Sequence, residues 1–466
     1  MSYSFPSELN YEMLSRMYPG VKQEFRRQPI NAQSCKTGSM VILQLNKMSR
    51  TFANPATIGV RYNLELSYTT GATDASLITT PATTGTNATP AFTTVTPDSS
   101  VNLLGNAMSV FSRYVTSAAG QTFDQIDYPG RLMNAITNCT LSAEDKRHMV
   151  SFGYNDEINT STNLGWGEVV YQVKNSIVKK NISFVVPLIG CLNASKLIPM
   201  FVSDIQIDLT VAAISECIKS IGNITVSAIE INSVELIAET LTLEESSFNE
   251  LMAMYPGVIN IKSESYSYSA GAVIPAGASG SIDQTIPFSL NSMKSFLWWC
   301  SPSDAFSRNF SGVNPNLRDY QLQIGASSYP VQPIKTNSIS EIYYQNSKAF
   351  GAFYAGSHNG SCNRSNMNKA STAGGEYVDY ETDATVPFAN RYNESNKFYC
   401  FLDLEVLNQL KQNLYSGIST RSNSNLLRLN IERATKAAVT NNIHMYACYD
   451  VVLNFDYVNG KITYSN

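Results

Sequence analysis

Charge is scarce in this chain. Only 15% of its 466 residues are Asp, Glu, Lys or Arg, where about a quarter is usual for a soluble globular protein. The 33 basic and 37 acidic residues leave a formal net charge of -4. A dedicated nucleic-acid binder is normally basic, so no sequence-specific nucleic-acid binding is expected. Histidine is rarer still, with three residues, His148, His358 and His444. His148 follows the charged run Glu144-Asp145-Lys146-Arg147, and His358 sits in Gly356-Ser357-His358-Asn359-Gly360. The three are read as exposed loop histidines and not as bases beside a nucleophile. There is no Gly-x-Ser-x-Gly elbow, no Walker loop and no His-Glu-x-x-His, so neither an enzymatic activity nor a cofactor is expected.

The eight cysteines, at 35, 139, 191, 217, 300, 362, 400 and 448, form no Cys-x-x-Cys and no cluster. That excludes a zinc ribbon and a dense disulfide scaffold, and it predicts free thiols. No run approaches the ~18 apolar residues of a membrane helix. The opening Met1-Ser2-Tyr3-Ser4-Phe5-Pro6 has neither a basic region nor an apolar stretch, so no secretion signal is expected and synthesis is placed in the cytosol. Sequons such as Asn87-Ala88-Thr89 and Asn193-Ala194-Ser195 then reflect composition.

Strand patterning, by contrast, is abundant. Val41, Leu43 and Leu45 alternate with polar or outward partners, and so do Val60, Tyr62, Leu64, Leu66 and Tyr68. Ile205, Ile207, Leu209 and Val211 alternate with Asp204, Gln206, Asp208 and Thr210, the clearest strand of all. Such period-two alternation predicts half-buried antiparallel strands. Val115 to Ile126 predicts a hairpin turning at Ala119-Gly120, with a short helix near Arg131 to Ile136. Phe184 to Ile189 is apolar on both faces and is expected to be interior. Ile229 and Ile231 are out of phase with Val234 and Leu236, which predicts a bulge. Further strands are expected over Ile282 to Leu290, at Tyr320, Leu322 and Ile324, at Leu402, Leu404 and Val406, at Leu427, Leu429 and Ile431, and from Tyr449 to Tyr457. Residues 69–100 and 355–375 lack apolar periodicity and predict exposed loops. Many strands, long polar insertions and few short helices indicate an all-β class, and the length suits two domains.

An internal repeat divides the chain. Leu14-Ser15-Arg16-Met17-Tyr18-Pro19-Gly20-Val21 shares its pattern with Leu251-Met252-Ala253-Met254-Tyr255-Pro256-Gly257-Val258. Pro-Gly is a turn dipeptide, so each copy reads as a helix end turning into an extended segment. Thr242 with Glu245 fits a capping box before the second copy, and Phe248, Leu251, Met252 and Tyr255 fall on one helical face. A tandem duplication follows, in which Val21 and Val258 open equivalent domains.

Three features are candidates for binding. Lys22, Arg26 and Arg27 form a basic knot beside Phe25 in an extended arm, suited to phosphate or lipid headgroups or, structurally, to pairing with carboxylates or to solvent. Glu376, Asp379, Glu381 and Asp383 are acidic enough for a hard cation but lack the calcium-loop order, which favours a solvated face. Trp298-Trp299 is either a carbohydrate platform or a packed pair with one ring on each face of a strand.

One stretch carries a resemblance. Tyr320-Gln321-Leu322-Gln323-Ile324-Gly325-Ala326-Ser327-Ser328-Tyr329-Pro330-Val331-Gln332-Pro333-Ile334 resembles a stretch in the C-terminal barrel of double jelly-roll major capsid proteins. These belong to the icosahedral DNA virus lineage of adenoviruses, virophages and polinton-like viruses. Phe184-Val185-Val186-Pro187-Leu188 and Ile198-Pro199-Met200, ahead of the Ile205 to Val211 strand, look like the strand pair closing the family's first barrel. At 466 residues the chain is shorter than many eukaryotic members. The resemblance implies two tandem eight-stranded jelly-roll sandwiches: a helix and arm at 1–34, a first jelly roll at 35–241, a linker helix and turn at 242–258, and a second jelly roll at 259–466. It further implies a homotrimer tiling as a pseudo-hexagonal capsomer, contacts with neighbouring capsomers, penton and minor capsid proteins, outer loops at 69–100 and 350–375, an inner N-terminal arm, and residence in a virion capsid after synthesis in the host cytosol. A tandem β-sandwich carbohydrate-binding protein or adhesin is the alternative, and a jelly-roll glycoside hydrolase a third, because the fold hosts all three.

Overall fold

The computed structural model describes residues 21–29, 34–70, 100–142, 145, 149, 178–221, 224–277, 280–303, 310, 312–315, 317–336, 339–349, 362, 397–405, 416–421, 427–433 and 440–465. The strands of the first half are β1 (Lys22–Pro29), β2 (Cys35–Lys36), β3 (Met40–Leu45), β4 (Thr51–Ala53), β5 (Gly59–Thr70), β6 (Ser100–Leu103), β7 (Phe111–Ala118), β8 (Gln121–Asp127), β9 (Val178–Pro187), β10 (Ile198–Pro199), β11 (Ile205–Val211), β12 (Ile218–Ile221) and β13 (Ile224–Thr242). Those of the second half are β14 (Val258–Ala270), β15 (Gly280–Thr285), β16 (Met293–Pro302), β17 (Leu317–Ile324), β18 (Ser327–Lys335), β19 (Cys400–Asp403), β20 (Leu427–Arg433), β21 (Asn441–Asp456) and β22 (Lys461–Ser465). Helices are α1 (Pro129–Thr140), α2 (Ile214–Cys217), α3 (Glu245–Met254) and α4 (Ile339–Ala349).

The duplication is written in the strand order. One four-stranded sheet runs β3-β11-β7-β8 and another β15-β20-β17-β18, so a first strand, a late strand and a hairpin recur in the same sequence. The larger sheets contain β13-β5-β9 and β21-β16-β19, with β1 joined to β13 and β14 joined to β21. Among the described residues, each half therefore holds eight corresponding strands. A helix follows the hairpin in both, α1 after β8 and α4 after β18. Lys22 pairs with Thr242 at the end of β13, and Val258 pairs with Asp456 at the end of β21. Val21 and Val258 thus stand at matching entries. The first Met-Tyr-Pro-Gly copy, residues 17–20, lies outside the described residues.

Alternation places the cores. In β3 and β11 every second side chain is buried, and Leu427, Leu429 and Ile431 of β20 are buried as well. The first hairpin turns on Ala119 (φ 49°) and Gly120 (φ 78°), the pair of positive φ values that matches strand twist in a two-residue turn. The expected bulge is present: the β13–β5 register shifts between Asn232 and Glu235, with Ser233 at φ 50°.

Several expectations are corrected. The short helix is longer, Pro129–Thr140, and starts with Pro at its first turn. Thr242 does not cap α3, because β13 continues through it; Glu244 takes the cap position without a side-chain bond. Phe248 packs edge-on against Phe201 at 4.9 Å, while Tyr255 is exposed. Phe184 and Val186 are buried but Val185 and Ile189 only partly, so that segment alternates instead of burying both faces. β9 and β10 lie at opposite edges of one sheet and do not form a pair. The backbone leaves the sheet after Thr285, yet Ile286, Phe288 and Leu290 remain buried. Leu290 N–H donates to Thr420 Oγ1 at 2.9 Å. Burial along β21 does not alternate: Tyr449, Asp450, Val451, Val452 and Leu453 are all buried, with Asp450 accepting from Ser292 Oγ and Ser416 N–H of its own half. Most of the expected loops, 71–99 and 363–375 among them, lie outside the described residues, as does Val406.

Candidate functional site

The basic knot lies on a paired strand and not on a free arm. β1 is hydrogen-bonded antiparallel to β13 along its length. Lys22, Glu24 and Arg26 share one face by the two-residue strand period. Lys22 forms an ion pair with Glu24, and Arg26 Nη2 bonds Glu24 Oε2 at 2.8 Å. The hydrogen bond and charge of Lys22, followed by those of Arg26, hold the half-buried Glu24 carboxyl below the usual range. Arg27 lies on the opposite face, its guanidinium carbon 5.7 Å from the Phe25 ring centroid. A cleft of about 320 Å³ opens beneath the strand, with Leu45, Met48, Met200, Leu236 and Ala238 beside Arg26 and Arg27. Sequence spacing indicates the cluster, but it is Glu24 that ties two of its three cations together.

A second constellation fills the seam between the halves. Asp124 of β8 is 2% exposed and accepts hydrogen bonds from the Ser265 hydroxyl of β14 and from Cys191 N–H at 2.7 Å. Ser263 Oγ donates to Cys191 O at 2.6 Å. Burial raises the Asp124 pKa to about 6, opposed by the Ser265 and Cys191 hydrogen bonds. Gly190, at φ 94°, leaves room for the carboxylate, which a Cβ there would strike. Alongside, Tyr446 OH donates to Tyr128 O at 3.0 Å, and the buried Arg131 guanidinium sits 3.8 Å from the Tyr128 ring centroid. Asp124 escapes sequence reasoning because a single acidic residue in a polar-rich strand looks solvent-facing; a weak signal is its place between Phe123 and Ile126.

His444 is not a loop histidine. It is 4% exposed, with Nε2 2.9 Å from Ser301 Oγ and Nδ1 3.1 Å from Tyr268 OH. Burial, reinforced by Arg131, lowers its pKa to about 3, so it stays neutral. Ser301 is 0% exposed, so this pair is sealed from any substrate. His148, His358 and the acidic residues Glu376, Asp379, Glu381 and Asp383 lie outside the described residues. Trp298 and Trp299 are both 0% exposed. Trp298 packs edge-on to Tyr320 at 5.1 Å, and Trp299 stacks on Tyr446 at 5.6 Å. They are packing residues, one per face, and the carbohydrate platform is excluded at this position. All eight cysteines are thiols, and all are buried. Among the described residues, no group of three or more His, Cys, Asp or Glu side chains is placed to hold a metal ion.

The outer surface carries apolar residues instead. Met254, Tyr255, Val258 and Val458 are exposed around the second Pro-Gly turn, and Met40 and Ile42 on the outer face of β3. A broad groove of about 730 Å³ runs past Lys36, Ile214, Ile218, Val226 and Ile229.

No protein-family profile matches this chain, and no curated protein does. Solved structures do. The Sputnik virophage structure matches with a TM-score of 0.56 at 11% identity, covering 100% of this chain and 92% of that one. The mavirus major capsid protein matches at 0.55 and 11%, covering 99% and 94%. The PBCV-1 virus capsid matches at 0.55 and 13%, covering 98% and 100%. The fold is thus the all-β double jelly roll of viral major capsid proteins, over 98–100% of this chain.

Proposed function

We propose that this chain is a structural major capsid protein that forms trimeric, pseudo-hexagonal capsomers of an icosahedral DNA virus shell, without enzymatic activity. The observation that carries the proposal is the repeated strand order, β13-β5-β9 with β3-β11-β7-β8 and β21-β16-β19 with β15-β20-β17-β18. The same fold spans 98–100% of this chain in the matches to the PBCV-1, mavirus and Sputnik structures. Two jelly rolls, at 35–241 and 259–466, joined through 242–258, let three chains present six similar barrels to a six-fold lattice position. The N-terminal segment 1–34 adds β1 to the first barrel.

Scarce charge and exposed apolar residues at Met254, Tyr255, Val258 and Val458 suit a surface spent on self-contact. Other capsomers, penton and minor capsid proteins would meet the remaining faces, and synthesis would take place in the host cytosol. Lys22, Arg26 and Arg27 would face inward toward phosphate or lipid headgroups.

Negative-stain microscopy of the expressed full-length chain, together with sedimentation, tests this. Trimers with a pseudo-hexagonal outline are expected. A stable monomer at micromolar concentration, with a melting temperature unchanged over about a hundredfold dilution, overturns it.

A further inference from the structure

The two halves meet sulfur to sulfur at one point. Cys139 Sγ, near the end of α1, lies 3.7 Å from Cys362 Sγ, across 223 positions of sequence. Both are buried, 1% and 4% exposed. The backbone holds the approach. Cys362 N–H donates to Asn138 O at 3.1 Å, and the neighbouring Asn138 Nδ2 donates to Tyr399 OH at 3.4 Å. Cys362 Sγ also lies 3.7 Å from Lys397 O. Sulfurs in van der Waals contact stand ~1.7 Å from the ~2.05 Å length of a disulfide, a gap on the scale of a side-chain torsion.

We propose that Cys139 and Cys362 form a modification site, a latent covalent cross-link between the two jelly rolls that a peroxide closes. One thiol gives up its proton and its sulfur attacks a peroxide oxygen. The O–O bond breaks, water leaves, and that sulfur becomes a sulfenic acid. The second thiol, deprotonated in turn, attacks the sulfenic sulfur; the S–O bond breaks and a second water departs. Two thiols are oxidised to one disulfide, and one hydrogen peroxide is reduced to two waters. Burial favours this small oxidant over bulky disulfide reagents. Burial also keeps the pair from reacting with a neighbouring protein, so the bond that forms is internal.

The experiment exposes the folded full-length protein to hydrogen peroxide, removes it, unfolds the chain in an alkylating agent, and reads intact mass and non-reducing peptide maps. The expected result is six alkylated thiols of the eight, with one linked peptide pair joining Cys139 to Cys362, separated again by dithiothreitol. Cys139→Ser and Cys362→Ser should each abolish the link and leave a sulfenic acid on the remaining thiol, trapped by a dimedone probe. The wild-type map stands even where a variant folds poorly. Alkylation of all eight thiols after peroxide, sulfinic acids at Cys139 and Cys362 without a link, or a link at another pair overturns the proposal.

Discussion

Asp124 and Ser265, 141 positions apart, are hydrogen-bonded to each other inside the molecule, one from each half. Burial of the Asp124 carboxyl at this contact, opposed by the Ser265 hydrogen bond, makes the seam weaken as pH rises. Burial raises the folded pKa of Asp124 from 3.8 to about 6, so the folded state holds the proton more tightly than the unfolded one. Its contribution is complete below about pH 4 and is lost as pH rises through about 6, a span worth roughly 3 kcal/mol. Asp124→Asn keeps an acceptor for Cys191 N–H but cannot titrate. The wild type is expected to lose more stability between pH 5 and 7.5 than the variant, read as the difference in their melting temperatures; parallel pH profiles count against this assignment.

Gly190→Ala should destabilise the same seam. The backbone at φ 94° is strained for any residue with a Cβ, and that Cβ meets the Asp124 carboxylate. A loss of about 2–4 kcal/mol is expected, measured by urea unfolding. A variant as stable as the wild type would show that the carboxylate moves aside freely.

Trp298→Ala and Trp299→Ala should each cost about 3–5 kcal/mol, because each removes a fully buried ring from a packed interior. Chemical denaturation gives the values. Glycan-array binding should be the same before and after substitution; a variant of full stability that loses a sugar ligand would restore the carbohydrate reading.

Glu24→Gln releases Lys22 and Arg26 from their shared carboxylate. Binding to vesicles containing anionic lipid, measured by flotation, is expected to rise in this variant and to weaken with salt. Lys22→Glu combined with Arg26→Glu should reduce binding below wild type. Equal flotation of all three proteins removes the headgroup role from these residues.

Much of the fold is legible in the chain itself. Alternation at Val41, Leu43, Leu45 and at Ile205 to Val211 specifies which face is buried, since a strand with one solvated face must place polar residues at every second position. The Met-Tyr-Pro-Gly-Val repeat marks the entry of the second half for the same local reason, a turn chemistry that Pro and Gly impose on any neighbours. The basic cluster is equally visible, because Lys22, Arg26 and Arg27 are close in sequence.

What the chain did not reveal depends on contacts between distant segments. The strand from Tyr449 to Tyr457 is legible, but the burial of Asp450 and Val452 on its other face is not, because that face is covered by segments far away in sequence, Ser292 and Ser416 among them. The pairing of β1 with β13 rests on long-range register. Asp124 meets Ser265, and Cys139 meets Cys362, only once the two halves dock. Local sequence records the period of each strand and the chemistry of each turn, whereas burial between halves depends on surfaces that come together hundreds of residues apart, and no short window of residues encodes that distance.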